Sequence, residues 1–381
     1  MKKINVILAS LTLFGLMTGC GGSGGGNKNT SENATNESQT AEPETSLTVA
    51  EDNVATQDPG KHIYITGKIS YDGDDAAALW INGKPNILAP YGSVNAVSGS
   101  KDGIVYAVGS DKQATIWKVE GDKIEKIHIA NEYSYIDAIY VTEQGDLYMA
   151  GSEGDREELS EDDEIQDYWK SVCYWKMSGT KITKMPLKSI KGWAESDIYV
   201  APRAIWASPN GKVYVVGTME DNNKSRHSAG VAVLWIDGVG QILSEGKYAV
   251  AYAIDGTRDG DIYIVGNVGC QAVIWKNQTL QYLTKDTDDC IAWSVFVTDN
   301  GDVYAAGEFS KKNELNHAAV WKNGVMQLLP DGARADAIHV TQEGDVYVAG
   351  TTSGGAIRLW KNGKLQTLTN GGFYTTGIFV K

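Results

Sequence analysis

Seven positions carry side chains suited to gripping a polar ligand, and they stand at matched places along the chain. Asn95, Asp137, Arg203, Tyr252, Trp293, Asp336 and Thr376 each immediately precede a pair of the Ala-Ile type, such as Ala138-Ile139 or Ala337-Ile338. Their neighbours repeat, whereas these residues differ from copy to copy. Aromatic rings stack on sugar rings and apolar side chains, while carboxylate and guanidinium groups take hydroxyls and charged ends. A set of this kind suits a glycan or a peptide. Asp137 and Asp336 also make a candidate carboxylate pair for glycoside hydrolysis, which needs two such groups flanking one bond. The bland alternative is a mixed polar ring lining a water-filled hole. Trp169, Trp193, Tyr199 and Tyr248 fall in neighbouring segments, as rim residues or as loop anchors.

Other reactive residue types are sparse. The histidines at 62, 128, 227, 317 and 339 have neither HExxH spacing nor cysteine partners at zinc spacing. Within 60–381 the sequence holds no Gly-x-Ser-x-Gly elbow and no phosphate loop. Asp72-Gly73-Asp74-Asp75 and Glu161-Asp162-Asp163-Glu164 are acidic, but without the alternation of an EF-hand loop they read as solvated segments. No metal and no cofactor is expected. Cys270 and Cys290 fall where the chain returns to the same side of the fold, and an exported compartment would let them pair as a disulfide. Cys173 has no evident mate and is placed by sequence near Trp175.

These residues are positioned by a repeat. A strand-like phrase with Tyr occurs at Tyr64, Tyr106, Tyr148, Tyr214, Tyr263, Tyr304 and Tyr347, and a glycine follows each three residues later, at Gly67, Gly109, Gly151, Gly217, Gly266, Gly307 and Gly350. A second phrase carries Trp80, Trp117, Trp175, Trp235, Trp275, Trp321 and Trp360. Most copies are spaced as propeller blades are. The Trp phrase runs into Asn-Gly or Asp-Gly, a strong signal for a tight hairpin, because both turn positions need positive φ. Each unit therefore reads as four antiparallel strands: an Ala-Ile strand, the Tyr strand, the Trp strand and a short outer strand. The first copy lacks its Ala-Ile strand and the last ends in a surplus one, Gly377-Ile378-Phe379-Val380. The expected fold is all-β, a seven-bladed β-propeller with four-stranded antiparallel blades, closed by the C-terminal strand pairing with the three N-terminal strands. The repeated Tyr and Trp residues are assigned to packing between blades. Departures from the repeat gather on one face, after the Tyr strands at 70–76, 152–171, 218–230 and 308–318, and before the Ala-Ile strands at 188–202, at Tyr133-Ser134-Tyr135 and at Phe373-Tyr374. Variable loops grouped on one face of a scaffold are where binding groups are held.

The 381 residues carry a formal net charge of -14. An acidic surface repels phosphate backbones, so no nucleic-acid partner is expected. Lys2 and Lys3 precede an apolar run at 6–17, too short to span a bilayer as a mature helix, and Leu16-Met17-Thr18-Gly19-Cys20 closes it. This resembles the lipobox of bacterial lipoproteins, which implies a signal peptide at 1–19 and acylation (palmitate among the chains) of Cys20. Residues 20–59, rich in Gly, Ser, Thr, Asn and Glu, read as a tether that cannot bury enough surface to fold. The domain follows at 60–381.

The Tyr-Val-Ala-Gly and Trp-Lys-Asn-Gly phrases after a lipobox together resemble bacterial lipoproteins with β-propeller domains. They lack the Gly-His and Trp-Asp signature of WD40 blades and the Gly-Gly pattern of kelch. The resemblance implies a lipid-anchored cell-envelope protein, with the outer membrane or cell surface favoured. Such a protein would be a monomer held to the membrane by its lipid, binding a protein or glycan on the variable face. The alternative is a secreted polysaccharide hydrolase or lyase with its carboxylates at the channel mouth.

Overall fold

In the computed structural model the described residues are 60–381, apart from 155–170, 189, 191–197, 222–229, 245–246, 286–287, 312–313 and 367–371. Cys20, the signal peptide, the tether, the acidic run 161–164, Trp169 and Trp193 lie outside them. The described chain forms seven four-stranded antiparallel sheets. Six are built in chain order, and the seventh takes its inner strand, Gly372–Val380, from the C-terminus and its other three from the N-terminus. The fold is a seven-bladed β-propeller closed as expected. The blade containing the N-terminus is blade 1, the next, 93–132, is blade 2, and so on to blade 7 at 334–366.

The core is divided among the joints between blades. Each of seven apolar clusters holds the Trp of one blade and the Tyr of the blade before it: Trp117 with Tyr64, Trp175 with Tyr106, Trp235 with Tyr148, Trp275 with Tyr214, Trp321 with Tyr263, Trp360 with Tyr304 and, at the closure, Trp80 with Tyr347. All seven Trp side chains are at most 1% exposed. Cys173 packs in the Trp175 cluster. In blades 3, 5, 6 and 7 the lysine after the Trp lies over the Tyr ring of its own blade, at 5.1 Å for Lys322 and Tyr304 and 5.4 Å for Lys361 and Tyr347, and it pairs with the Asp that precedes that strand.

One expectation needs correction. The departure at 70–76 is no loop. The strands Ile63–Tyr71 and Asp74–Ile81 pair as far as Tyr71 with Asp74, and the turn is only Asp72-Gly73, with φ of 53° and 86°. Asp-Gly satisfies the positive φ that a two-residue hairpin demands, so the extra residues lengthen the strands instead of forming a loop. The departures in blades 4 and 6 begin the same way, with paired strand continuing to Glu220 and Gly230 and to Phe309 and His317.

Candidate functional site

Every residue of the predicted set is the extra residue of a β-bulge in an inner strand. The pairing of inner strand with Tyr strand skips one position in each blade: between Val94 and Ala96, Ile136 and Ala138, Pro202 and Ala204, Ala251 and Ala253, Ala292 and Ser294, and Ala335 and Ala337. In blade 1 it passes from Thr375 to Gly377. The skipped residues are Asn95, Asp137, Arg203, Tyr252, Trp293, Asp336 and Thr376. A bulge leaves one residue out of the ladder and re-aims its side chain. In this fold the inner strands border the axis, so the bulges set one residue per blade at the channel mouth.

The glycine three residues after each Tyr makes the bulge possible. A Cβ at Gly109, Gly151, Gly217, Gly266, Gly307 or Gly350 would lie 1.9–2.0 Å from the carbonyl oxygen of Ser93, Tyr135, Ala201, Val250, Ile291 or Arg334. In blade 1 the same contact joins Gly67 to the Tyr374 carbonyl, at 2.0 Å. Each of those carbonyls belongs to the residue two before the bulge. The glycines are there for space, since none of them has a positive φ.

The structure sorts the seven. Asn95 donates its amide to the Ile136 carbonyl of the next blade at 2.7 Å. Thr376 donates its hydroxyl to the Val94 carbonyl, with the Thr66 hydroxyl also 3.0 Å away. Both bind neighbouring strands together. The other five form an arc over blades 3 to 7. Arg203 acts electrostatically on Asp137 on one side and Tyr252 on the other. The Tyr252 and Trp293 rings meet at 4.3 Å with a 54° tilt. The Arg334 guanidinium lies 5.4 Å from the Trp293 ring centre and 5.9 Å from that of Tyr374. It pairs with Asp336, whose other oxygen accepts the Thr375 hydroxyl at 2.6 Å.

Three of these residues were outside the predicted set: Glu308, Arg334 and Tyr374. Glu308 follows the blade-6 glycine and accepts from the Asn316 amide at 3.1 Å. Arg334 opens the strand that carries Asp336. Their signal was present, because each sits at a place where the other copies carry unlike residues. Of the rim candidates, Tyr248 lies beside Gly230, where a Cβ would meet its ring at 2.6 Å. Tyr199 is the second residue of the inner strand of blade 4 and pairs with Glu220.

The acids at the mouth are raised above the usual carboxylate range. Burial pushes the Asp137 carboxyl up to about 6, with Arg203 pulling the other way. Burial pushes Glu308 up to about 7, against Arg334 and with help from Asp336. Asp336 is raised by burial too, although Arg334 and Thr375 hold its charged form. Near neutral pH a group such as Glu308 can both donate and accept hydrogen bonds.

Toward the opposite end of the channel stand the residues three places after each bulge, among them Tyr140, Trp206, Asp255, Phe296, His339 and Phe379. His339 sits edge-on between Phe296 and Phe379, 5.1 Å from each, and burial lowers its pKa to about 4. Asp255 accepts the amides of Gly256 and, from the next blade, Val297, at 2.9 and 2.7 Å. Outside this aromatic layer, Arg258 reaches both Glu143 and Asp299.

Cys270 and Cys290 are brought together across blades 5 and 6, the Cys290 amide donating to the Cys270 carbonyl at 2.7 Å. Among the described residues no group of three or more His, Cys, Asp or Glu is arranged to hold a metal ion.

Fold and site together define a β-propeller with one mouth lined by arginines, acids and aromatic rings. No family model matches the sequence, and no curated protein matches it. Similar solved structures include virginiamycin B lyase from Staphylococcus aureus, at 11% identity and a TM-score of 0.47, covering 72% of this chain and 84% of that one. A protein of unknown function from Bacteroides caccae has 12% identity and a TM-score of 0.48, covering 84% and 98%. YCF48 bound to D1 peptide has 14% identity and a TM-score of 0.42, covering 71% and 80%. At such identities these are likenesses of fold and carry nothing about activity.

Proposed function

We propose that this chain is a non-enzymatic binding protein of the cell envelope, anchored by lipid at Cys20, whose channel mouth takes a glycan or a protein segment. The observation that carries the reading is the convergence of five unlike bulge residues, Asp137, Arg203, Tyr252, Trp293 and Asp336, with Glu308 and Arg334, on one face of a uniform scaffold. The anchor rests on the charged, apolar and Cys20 segments in their order, and acyl labelling lost in Cys20→Ala would support it. The nearness of Cys270 and Cys290 supports a disulfide between them in the exported protein. Alkylation of the unfolded, unreduced protein should then leave both unlabelled.

A specific observation keeps a second reading in view. Glu308, raised to about 7, is poised to exchange a proton near neutral pH, as a hydrolase or lyase acting on polysaccharide requires. One experiment separates the two. The full chain is screened against polysaccharides and peptides, with binding and product release both recorded. Binding without turnover, weakened about tenfold or more by Trp293→Ala, is expected. Turnover that is lost on Glu308→Gln or Asp137→Asn would establish the enzyme instead. Binding unaffected by Trp293→Ala would move the site away from the channel mouth.

A further inference from the structure

We propose that the channel mouth receives a saccharide bearing a carboxylate, with the carboxylate held by Arg203 and the sugar lying along the aromatic row of Tyr252 and Trp293. This rests on the binding reading above and specifies the class of ligand.

Arg203 carries an unmatched donor. Its Nε is buried and has no hydrogen-bond partner among the described residues. Arg334, its counterpart at the other end of the arc, pairs with Asp336 in the free protein. A buried guanidinium donor left unmatched is costly, and a planar carboxylate is the group that fits its fork. Asp137, the acid beside Arg203, stands on the neighbouring inner strand and accepts no hydrogen bond from it. Among the described residues of the arc, Arg203 thus keeps an unmatched donor, whereas Arg334 pairs with Asp336.

The rings give the rest of the ligand its character. Tyr252 and Trp293 continue from Arg203 across two blades, and the exposed Tyr374 lies on the far side of Arg334. Aromatic surface next to a single anion site suits a ring that is apolar on its face and charged at one substituent, as a uronate is. Asp137 and Glu308, being easily protonated, offer donors and acceptors to hydroxyls. The overall negative charge does not exclude an anion, because fields from surface charges fade beyond about 8 Å at physiological salt, whereas the Arg203 contact is direct.

The surrounding groups also set a pH dependence. Arg203 faces Asp137 on the blade-3 strand and Tyr252 on the blade-5 strand, and Tyr252 feels Tyr248, Glu308 and Glu220 in turn. Glu308 is faced by Arg334, Asp336, Asn316 and Asp289. Asp137 and Glu308, at about 6 and about 7, change charge between pH 7.5 and 5.5, and burial raises Asp336 in the same direction. Both lose negative charge on acidification, while a uronate carboxyl stays ionised. An anionic ligand should therefore bind more tightly at the lower pH.

The test uses the full chain, purified in detergent, with trigalacturonate as the probe and calorimetry at pH 7.5 and 5.5. The methyl ester of the same trisaccharide and a tetraglutamate peptide are run in parallel. Trigalacturonate is expected to bind, several-fold more tightly at pH 5.5, and at least about tenfold more tightly than its ester or the peptide. Arg203→Gln should remove at least about tenfold of that affinity, and Arg203→Lys a smaller part, with melting temperatures showing that each variant folds. Asp137→Asn should tighten binding at pH 7.5. Equal affinity for the ester, no effect of Arg203→Gln in a folded protein, or tighter binding of tetraglutamate would overturn the proposal. If neutral glycans bind in a Trp293-dependent way and trigalacturonate does not, this proposal fails while the binding reading stands. If no glycan or peptide binds, both fail.

Discussion

Asp255 is among the described acids that burial shifts strongly. It is enclosed by the aromatic layer, and two backbone amides are not enough to offset burial, so its carboxyl is pushed up to about 7. Asp137, Glu308 and Asp336 are raised in the same direction. For a group raised in the folded state, the stability it contributes is present at pH values below its unfolded pKa and is lost as pH rises through the folded value. For Asp137, Asp255 and Glu308 the loss falls between about pH 4 and 7. His339, lowered to about 4, works the other way: it stabilises above its unfolded pKa and loses that contribution as pH falls through the folded value. The acids lowered by exposed partners, such as Glu343 at about 2, act below this range. Several raised acids oppose one histidine, so the melting temperature should rise when pH is lowered from 8 to 5.5, and Asp255→Asn should flatten that rise. A scanning calorimetry series in which the melting temperature falls over that range would contradict the assignment. None of this was legible in the sequence. Asp255 and His339 are ordinary residues of inner strands, and their burial exists only because seven such strands meet around one axis.

At the scale of the strand, the important element is the bulge and the glycine that seats it. The Tyr-x-x-Gly spacing was plain in the sequence, but the purpose of the glycine was not. A repeated glycine ordinarily signals a turn or positive φ, and this one sits inside a strand to let a carbonyl cross its Cα. The same geometry explains why the residue before each Ala was identifiable as variable: it is the residue the ladder omits. Chemistry-bearing residues elsewhere in the strands, Glu308 and Arg334, gave less away, because strand position alone does not say which side chains meet across two blades. Asn95 and Thr376 read alike with the other five in sequence, but the Asn95 amide nitrogen and the Thr376 hydroxyl donate to neighbouring strands. Gly266→Ala is the direct probe. Its Cβ would stand 1.9 Å from the Val250 carbonyl, so either the bulge straightens or blade 5 moves. The expected cost is about 3 kcal/mol in chemical denaturation, at the upper end for overpacking. Ligand affinity should fall as well, because Tyr252 loses its direction. A variant with unchanged stability and unchanged binding would show that the bulge does not depend on the glycine.

At the scale of the molecule, dividing the core among seven joints makes ring closure decisive. The strand Gly372–Val380 supplies Ile378 and Val380 to the cluster that holds Trp80 and Tyr347, and its register with Ile63–Tyr71 runs from Ile63 with Val380 to Ile69 with Gly372. His62 and Lys381 exchange backbone hydrogen bonds of 2.7 and 3.0 Å at the end of that ladder. Removing 372–381 therefore strips two apolar side chains from one joint and lays bare the edge of Ile63–Tyr71. An exposed edge of that length is a template for pairing with another chain. The truncated protein should lose its single cooperative melt, and whatever folds should associate in size-exclusion chromatography. It should also lose binding at the mouth, because Tyr374 and Thr375 leave with the strand and Asp336 is deprived of its hydroxyl donor. A synthetic peptide of residues 372–381 added in trans should restore both the melt and the monomer, since the remaining six blades already present every other partner. If the truncated chain stays monomeric and melts as the full chain does, closure by the C-terminal strand is not what holds the ring. If the peptide restores stability without binding, the strand closes the ring but Tyr374 and Thr375 have no part in the site.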